Sequence, residues 1–206
     1  KLNLPGLQQQ LLEAVYAVNK NIVLVLMNGR PLAITWADEH IPAIVEAWQL
    51  GTKSGDAIAQ VLYGDYNPSG KLPMTFPRSV GQVPIYYNHM STGRPGPIDL
   101  VFWSHYGDES NKPLYPFGYG LSYTSFSYSN LLISEAGKNN VKLTVTVTNT
   151  GKMDGEEVAQ LYIHDKFASV VRPVKELKGF SKFSLKAGES RQVSFSLTAA
   201  ELGFFN

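Results

Sequence analysis

Hydrophobic and polar positions alternate with two different periods along this chain, and the change of period divides it. Near the start, Leu7, Leu11, Leu12, Val15 and Val18 recur at helical spacing and predict an amphipathic helix. The run "IVLVLM", Ile22 to Met27, is continuous and partly β-branched, as in a strand buried on both faces, and Asn28-Gly29 stops it. Pro42 is placed to open a second helix over "PAIVEAWQLG", with Gly51 as terminator. Ser54 begins a third over "SGDAIAQVLYG", in which Ala57, Ile58, Val61 and Leu62 share a face. A turn and a short extended segment fenced by prolines follow in "GDYNPSGKLPMTFP". This succession predicts an α/β layered domain with part of its sheet parallel.

Further on the period falls to two. Val141, Leu143, Val145 and Val147 alternate with polar residues, as do Ala159, Leu161 and Ile163, and then Val193, Phe195 and Leu197. Such strands, separated by turns rich in Gly, Asn, Asp and Lys, predict an antiparallel β-sandwich. Between the two regimes, residues 86–113 show little periodicity and many Pro, Gly, His and Asn. A structureless loop of that length in a compact protein is usually functional.

Composition narrows the possible functions mainly by exclusion. In 206 residues, 44% are hydrophobic, enough for a sizeable core. The formal net charge of +1 and scattered basic residues give no electrostatic reason to expect nucleic acid or an anionic membrane as partner. No apolar run approaches the roughly 20 residues that span a bilayer. There are no cysteines, which excludes disulfides, thiol catalysis and cysteine-ligated metals. The chain opens "KLNLPGLQQQ" without an initiator methionine, which reads as a cut made inside a longer polypeptide.

Few residues stand out chemically. The four histidines, His40, His89, His105 and His164, lack metal-ligand spacing, so no metal site is expected. "LGTKSGD" lacks the upstream glycine of a phosphate loop and reads as a helix start. No Gly-x-Ser-x-Gly elbow is present. The adjacent acids Asp38-Glu39 and Glu156-Glu157 project to opposite faces of a strand, or apart on a helix, and read as solvated charges. Trp48 falls in an apolar helical pattern and reads as core. Arg94 and Trp103 lie in the polar loop, where a guanidinium and a flat apolar face suit a hydroxyl-rich ligand. The equally simple alternative is that Arg94 pins the loop.

Several strings resemble the C-terminal part of bacterial β-glucosidases of glycoside hydrolase family three, and most closely the periplasmic enzymes. They are "VLVLMNGRPLAI" (23–34), "AIAQVLYGDYNPSGKLPMTFPRSVGQVPIYYNHMSTGRP" (57–95), "LYPFGYGLSYTSF" (114–126), "VTNTGKMDGEEVAQLYIHD" (147–165) and "RPVKELKGFSKFSLKAGES" (172–190). The resemblance implies that residues 1–123 are the end of the family's α/β sandwich domain, a partial mixed sheet with flanking helices. It implies a fibronectin-III-like β-sandwich over 124–206. "YPFGYGLSYTSF" would then be the join, with Tyr119 and Phe126 buried and Gly118 or Gly120 in a backbone conformation suited to glycine.

By the same resemblance the parent enzyme hydrolyses terminal β-D-glucosyl residues with retention, which needs two carboxyls about 5–5.5 Å apart. In the family the nucleophile lies on an N-terminal (β/α)₈ barrel, and the acid/base glutamate just ahead of the "LNLPGLQQQLLEAV" helix. No acid in this chain matches either position, so no catalytic residue is assigned and the chain alone is expected to be inactive. The expected ligand is a β-glucoside or short oligosaccharide, touched by His89, Arg94 and Trp103. The expected protein contacts are the barrel and a second copy, the expected address is periplasmic or secreted, and no cofactor is implied. The alternatives are a stand-alone carbohydrate-binding or structural module, and part of a β-xylosidase or β-N-acetylglucosaminidase relative.

Overall fold

The β-branched run near the start does form a strand, but the sheet around it is built differently from the sequence expectation. The computed structural model describes residues 2–94, 102–135, 137 and 140–203. The chain divides into two compact units. One comprises Lys1–Tyr63, Leu72–Tyr87 and Thr92–Phe117; the other comprises Gly64–Lys71, Asn88–Ser91 and Gly118–Asn206. The continuous chain passes from the first to the second between Phe117 and Gly118, inside the aromatic segment.

In the first unit, helix α1 (Gln8–Val18) leads to strand β1 (Val23–Leu26), helix α2 (Thr35–His40), strand β2 (Ala43–Glu46) and helix α3 (Ser54–Tyr63). β1 and β2 are parallel, with Val23 opposite Ala43 and Leu26 opposite Glu46. The helix expected over "PAIVEAWQLG" is therefore a strand, and the helix lies just upstream of it. Pro42 accounts for the difference. A residue before proline is pushed out of the α region, and Ile41 is extended at φ −91° and ψ 123° where α2 ends. Beyond that break, Ile44 and Val45 suit a buried strand, and β1 supplies the partner for their backbone groups. Trp48 packs in the core as expected, but from a loop at φ +50° rather than from a helix. Its ring meets the edge of Phe76 at 5.9 Å.

Phe76 is the centre of this unit. It is 1% exposed and packs with Leu26, Ile34 and Leu114. Its amide donates to the Tyr115 carbonyl at 2.8 Å, and its own carbonyl accepts from Leu114 N at 2.9 Å. The short extended segment of the sequence thus pairs with the chain about to leave the unit. The helices α1 and α3 form where expected, yet their apolar stripes are largely uncovered. Only Leu12 of α1 is buried, while Leu11 and Val18 are 65% and 85% exposed.

The second unit is an antiparallel sandwich, as the period of two predicts. Strands β3 (Phe126–Glu135), β4 (Asn140–Asn149) and β7 (Ser190–Thr198) form one sheet; β5 (Gly155–Ile163) and β6 (Glu176–Leu185) form the other. Val147, Ala159, Leu185 and Val193 fill the space between them. The turn after β4 is organised by a buried side chain. Asn149 is fully buried, and its Oδ1 accepts from Thr124 Oγ1 at 2.6 Å and from Gly151 N at 3.1 Å. Its Nδ2 donates to the Met153 carbonyl at 2.8 Å and the Leu185 carbonyl at 3.2 Å.

Two sequence expectations fail here. Glu157 is buried rather than solvated, because its carboxylate pairs with Lys71 and accepts from Tyr128. Tyr119 is exposed rather than buried, whereas Phe126 packs partly against the core. The chain approaches its neighbours closely at the glycines beside Tyr119. Gly118 adopts φ +79°, and a β-carbon at Gly120 would collide with the Gly70 carbonyl.

Truncating Asn149 takes a hydrogen-bond partner from the buried Thr124 hydroxyl and Leu185 carbonyl, at about 1–3 kcal/mol for each one left unpaired. Asn149→Ala should therefore destabilise the second unit by about 3 kcal/mol or more, read as faster amide exchange across β4 to β7. The fluorescence of Trp36, Trp48 and Trp103, all in the first unit, should be unchanged under native conditions.

Candidate functional site

The loop between Tyr86 and Pro113 is held at both limbs by groups with no sequence signature of function. At its start, Tyr87 stacks on Phe117, with ring centres 4.3 Å apart. At its end, Gln82, in a 3-10 turn over Val80–Gln82, is 2% exposed and acts as a staple. Its Nε2 donates to the Ser110 carbonyl at 2.7 Å and the Lys112 carbonyl at 3.3 Å, while its Oε1 accepts from Arg78 N at 2.6 Å. Arg78 Nε adds a second bond to the Lys112 carbonyl at 3.1 Å. Sequence reading passed over Gln82, since a lone glutamine between glycine and valine carries no chemical pattern.

Within the loop, two of the three candidate residues lie on segments brought together. Ser104 N donates to the Arg94 carbonyl at 2.9 Å, and the Arg94 guanidinium reaches the Phe102 carbonyl at 3.3 Å. Arg94 therefore ties Thr92–Arg94 to Phe102–Ser104, the pinning role left open above, while its exposed guanidinium retains further donors. Trp103 is half-buried and Phe102 is 79% exposed. Residues 95–101 lie outside the described residues. Asn111 braces the returning limb through the Ser104 carbonyl at 2.8 Å and Tyr106 N at 3.0 Å.

His89 belongs to the second unit. Its carbonyl accepts from Val174 N at 2.9 Å, and Met90 forms an antiparallel bridge with Pro173. Its ring Nδ1 lies 3.0 Å from the Met90 carbonyl, and the side chain is exposed. Among the described residues no group of three or more His, Asp or Glu is arranged to hold a metal ion. No helix among them is long and apolar enough to cross a membrane.

One half-buried carboxyl in the first unit is unusual. Glu46 and Asn28 stand at the carboxyl ends of the parallel strands β2 and β1. Glu46 Oε1 accepts from Trp48 N at 3.0 Å, and Asn28 Nδ2 donates to the Arg30 carbonyl at 2.6 Å. Glu46 Oε2 and Asn28 Oδ1 are buried without a hydrogen-bond partner among the described residues. Burial raises the Glu46 carboxyl above its ordinary value, against the opposing pull of Trp48 N and Asn28.

The chain matches the model for the glycosyl hydrolase family 3 C-terminal domain over residues 1–123. The chain belongs to glycosyl hydrolase family 3, to its C-terminal domain. A fibronectin type III-like domain matches residues 157–206, which places β5, β6 and β7 in that sandwich. Along its whole length this family 3 chain is 52% identical to a periplasmic β-glucosidase of Salmonella typhimurium, and 44% identical to a β-xylosidase of Formosa agariphila. It spans 28% of the length of each relative. A crystal structure of a β-glucosidase from Listeria innocua in complex with gluconolactone superposes over the whole chain with a TM-score of 0.94 at 43% identity, the match covering 29% of that protein. A mutant of the Listeria enzyme, in complex with laminaribiose, gives 0.93.

The Glu46 environment predicts a pH dependence of defined sign. A carboxyl raised in the folded state contributes its stability in full below the ordinary value of 4.5. That contribution is lost as pH rises through the raised value. Glu46→Gln cannot ionise and keeps an oxygen acceptor for Trp48 N. In urea unfolding followed by tryptophan emission, the variant should match the native chain near pH 4 and gain on it as pH rises through the raised value. A native advantage at pH 7 would show that the ionised form is the stable one.

Proposed function

We propose that this chain is the C-terminal part of a retaining β-glucosidase that removes terminal β-D-glucosyl residues. In this reading both catalytic carboxyls lie on other parts of the parent protein, and the 206 residues brace its catalytic barrel. The observation that carries the proposal is the full-length match to a much longer periplasmic β-glucosidase at 52% identity. The uncovered stripe on α1 supports it, since Leu11 and Val18 present apolar surface that a further domain would remove from water. The same relative supports a periplasmic address. A homodimer remains part of the proposal as a second source of cover for such surface.

The 86–113 loop is assigned to the rim of the sugar site. Arg94 would donate to hydroxyls of a second sugar, and Trp103 would offer a flat apolar face. The laminaribiose complex of the Listeria enzyme shows that a structurally matching protein takes a disaccharide. A second reading, hydrolysis of β-xylosides, is favoured by the 44% identity to the Formosa β-xylosidase. Aryl β-glucoside and aryl β-xyloside turnover by the parent enzyme separates the two.

The chain alone should release no aglycone from an aryl β-glucoside above the buffer rate, while the parent enzyme does. Turnover that persists through repurification of the isolated chain would overturn the assignment of catalysis elsewhere.

In the parent enzyme, Arg94→Ala should weaken disaccharide binding about tenfold or more, since a hydrogen bond to a charged donor contributes about 1.5–3 kcal/mol. Hydrolysis of an aryl glucoside, which carries no second sugar, should fall much less. Equal losses on both substrates, or a large drop in Tm, would leave Arg94 only its role in pinning the loop.

A further inference from the structure

Residues Gly64–Lys71 are flanked on both sides by chain of the first unit, yet they pack within the second. Their sequence, "GDYNPSGK", reads as an ordinary turn, but nearly every polar side chain in it is engaged. Asn67 uses both ends of its amide: Nδ2 donates to the Asp154 carbonyl at 2.9 Å, and Oδ1 accepts from Ser122 Oγ and Tyr123 N, each at 2.8 Å. Tyr66 and Ser69 both donate to Glu156 Oε2 at 3.2 Å, an oxygen already held at 2.8 Å by Lys182. Lys71 donates to the Gly120 carbonyl at 3.1 Å and lies 3.4 Å from Glu157 Oε2. Tyr128 completes the Glu157 carboxylate from the other side at 3.0 Å.

The alternation of β5 explains the arrangement. Successive residues of a strand face opposite ways, so Glu156 and Glu157 hold the segment at two separate places. Ser69 and Glu157 are buried, and the Lys71 side chain is only 17% exposed. A passive linker would leave its polar groups in water. Here their removal would strand a buried carboxylate and the donors of Ser122 and Tyr123.

We infer that Gly64–Lys71 is a strap belonging structurally to the fibronectin-like sandwich, and that the folded state of that unit depends on this remote segment. The sandwich is then not a self-contained module of residues 118–206 joined at one linker. Its first structural element lies within the preceding domain's sequence.

Hydrogen exchange on the full 206-residue chain tests this, using Lys71→Met, Asn67→Ala and the double variant Lys71→Met/Glu157→Gln. Lys71→Met and Asn67→Ala should each speed exchange in β5 by tenfold or more, with β1 and α1 unchanged. The double variant removes the stranded charge and should recover much of the protection lost in Lys71→Met. Asn67→Ala alone decides the matter if Lys71→Met does not fold. Acceleration confined to residues 64–71, or spread equally over β1 and β5, would overturn the inference. So would a double variant no better protected than Lys71→Met.

Discussion

The second unit is organised around a buried ion pair, Lys71 with Glu157. Taking two charges out of water is costly, and their attraction offsets that cost only when the remaining lone pairs and protons are also satisfied. Here each partner gains a further bond: the Gly120 carbonyl accepts from the ammonium, and Tyr128 donates to the other carboxylate oxygen. Such a pair tolerates little displacement of either partner. It therefore fixes where Gly64–Lys71 runs, how closely Gly120 approaches Gly70, and which face of β5 is covered.

Asn149 does comparable work with neutral groups. Four hydrogen bonds from one buried amide hold the turn after β4 to the end of β6 and to the entry of β3. In both cases specificity comes from polar groups that would be destabilising if left unpaired. The apolar contacts of Val147, Ala159, Leu185 and Val193 supply burial without deciding how the connecting segments lie.

The first unit is different. Its core around Phe76 is ordinary, but the helices α1 and α3 present apolar stripes that their own unit leaves largely uncovered. This agrees with a chain that matches about a quarter of its longer relatives. The loop is well held at its bases, by Gln82 and Arg78 on one limb and the Tyr87–Phe117 stack on the other. Binding residues carried on a loop profit from anchored ends, because less conformational freedom is lost when a ligand is engaged.

The period-two strands, the helices at Gln8–Val18 and Ser54–Tyr63, and the change of architecture along the chain were all legible from pattern, since each reflects a local repeat of apolar positions. So was the family, carried by long motif strings that the domain match over 1–123 supports. The strand at Ala43–Glu46 was misread because four residues that suit either conformation are decided by the partner strand. Glu157 looked solvated because sequence cannot reveal a lysine arriving from 86 positions away. Gln82 carried no signal at all. Local periodicity is encoded by neighbours, so the sequence itself determined which elements form. Long-range pairing of buried polar groups depends on residues far apart in the chain, so only the tertiary structure decided which segment belongs to which unit.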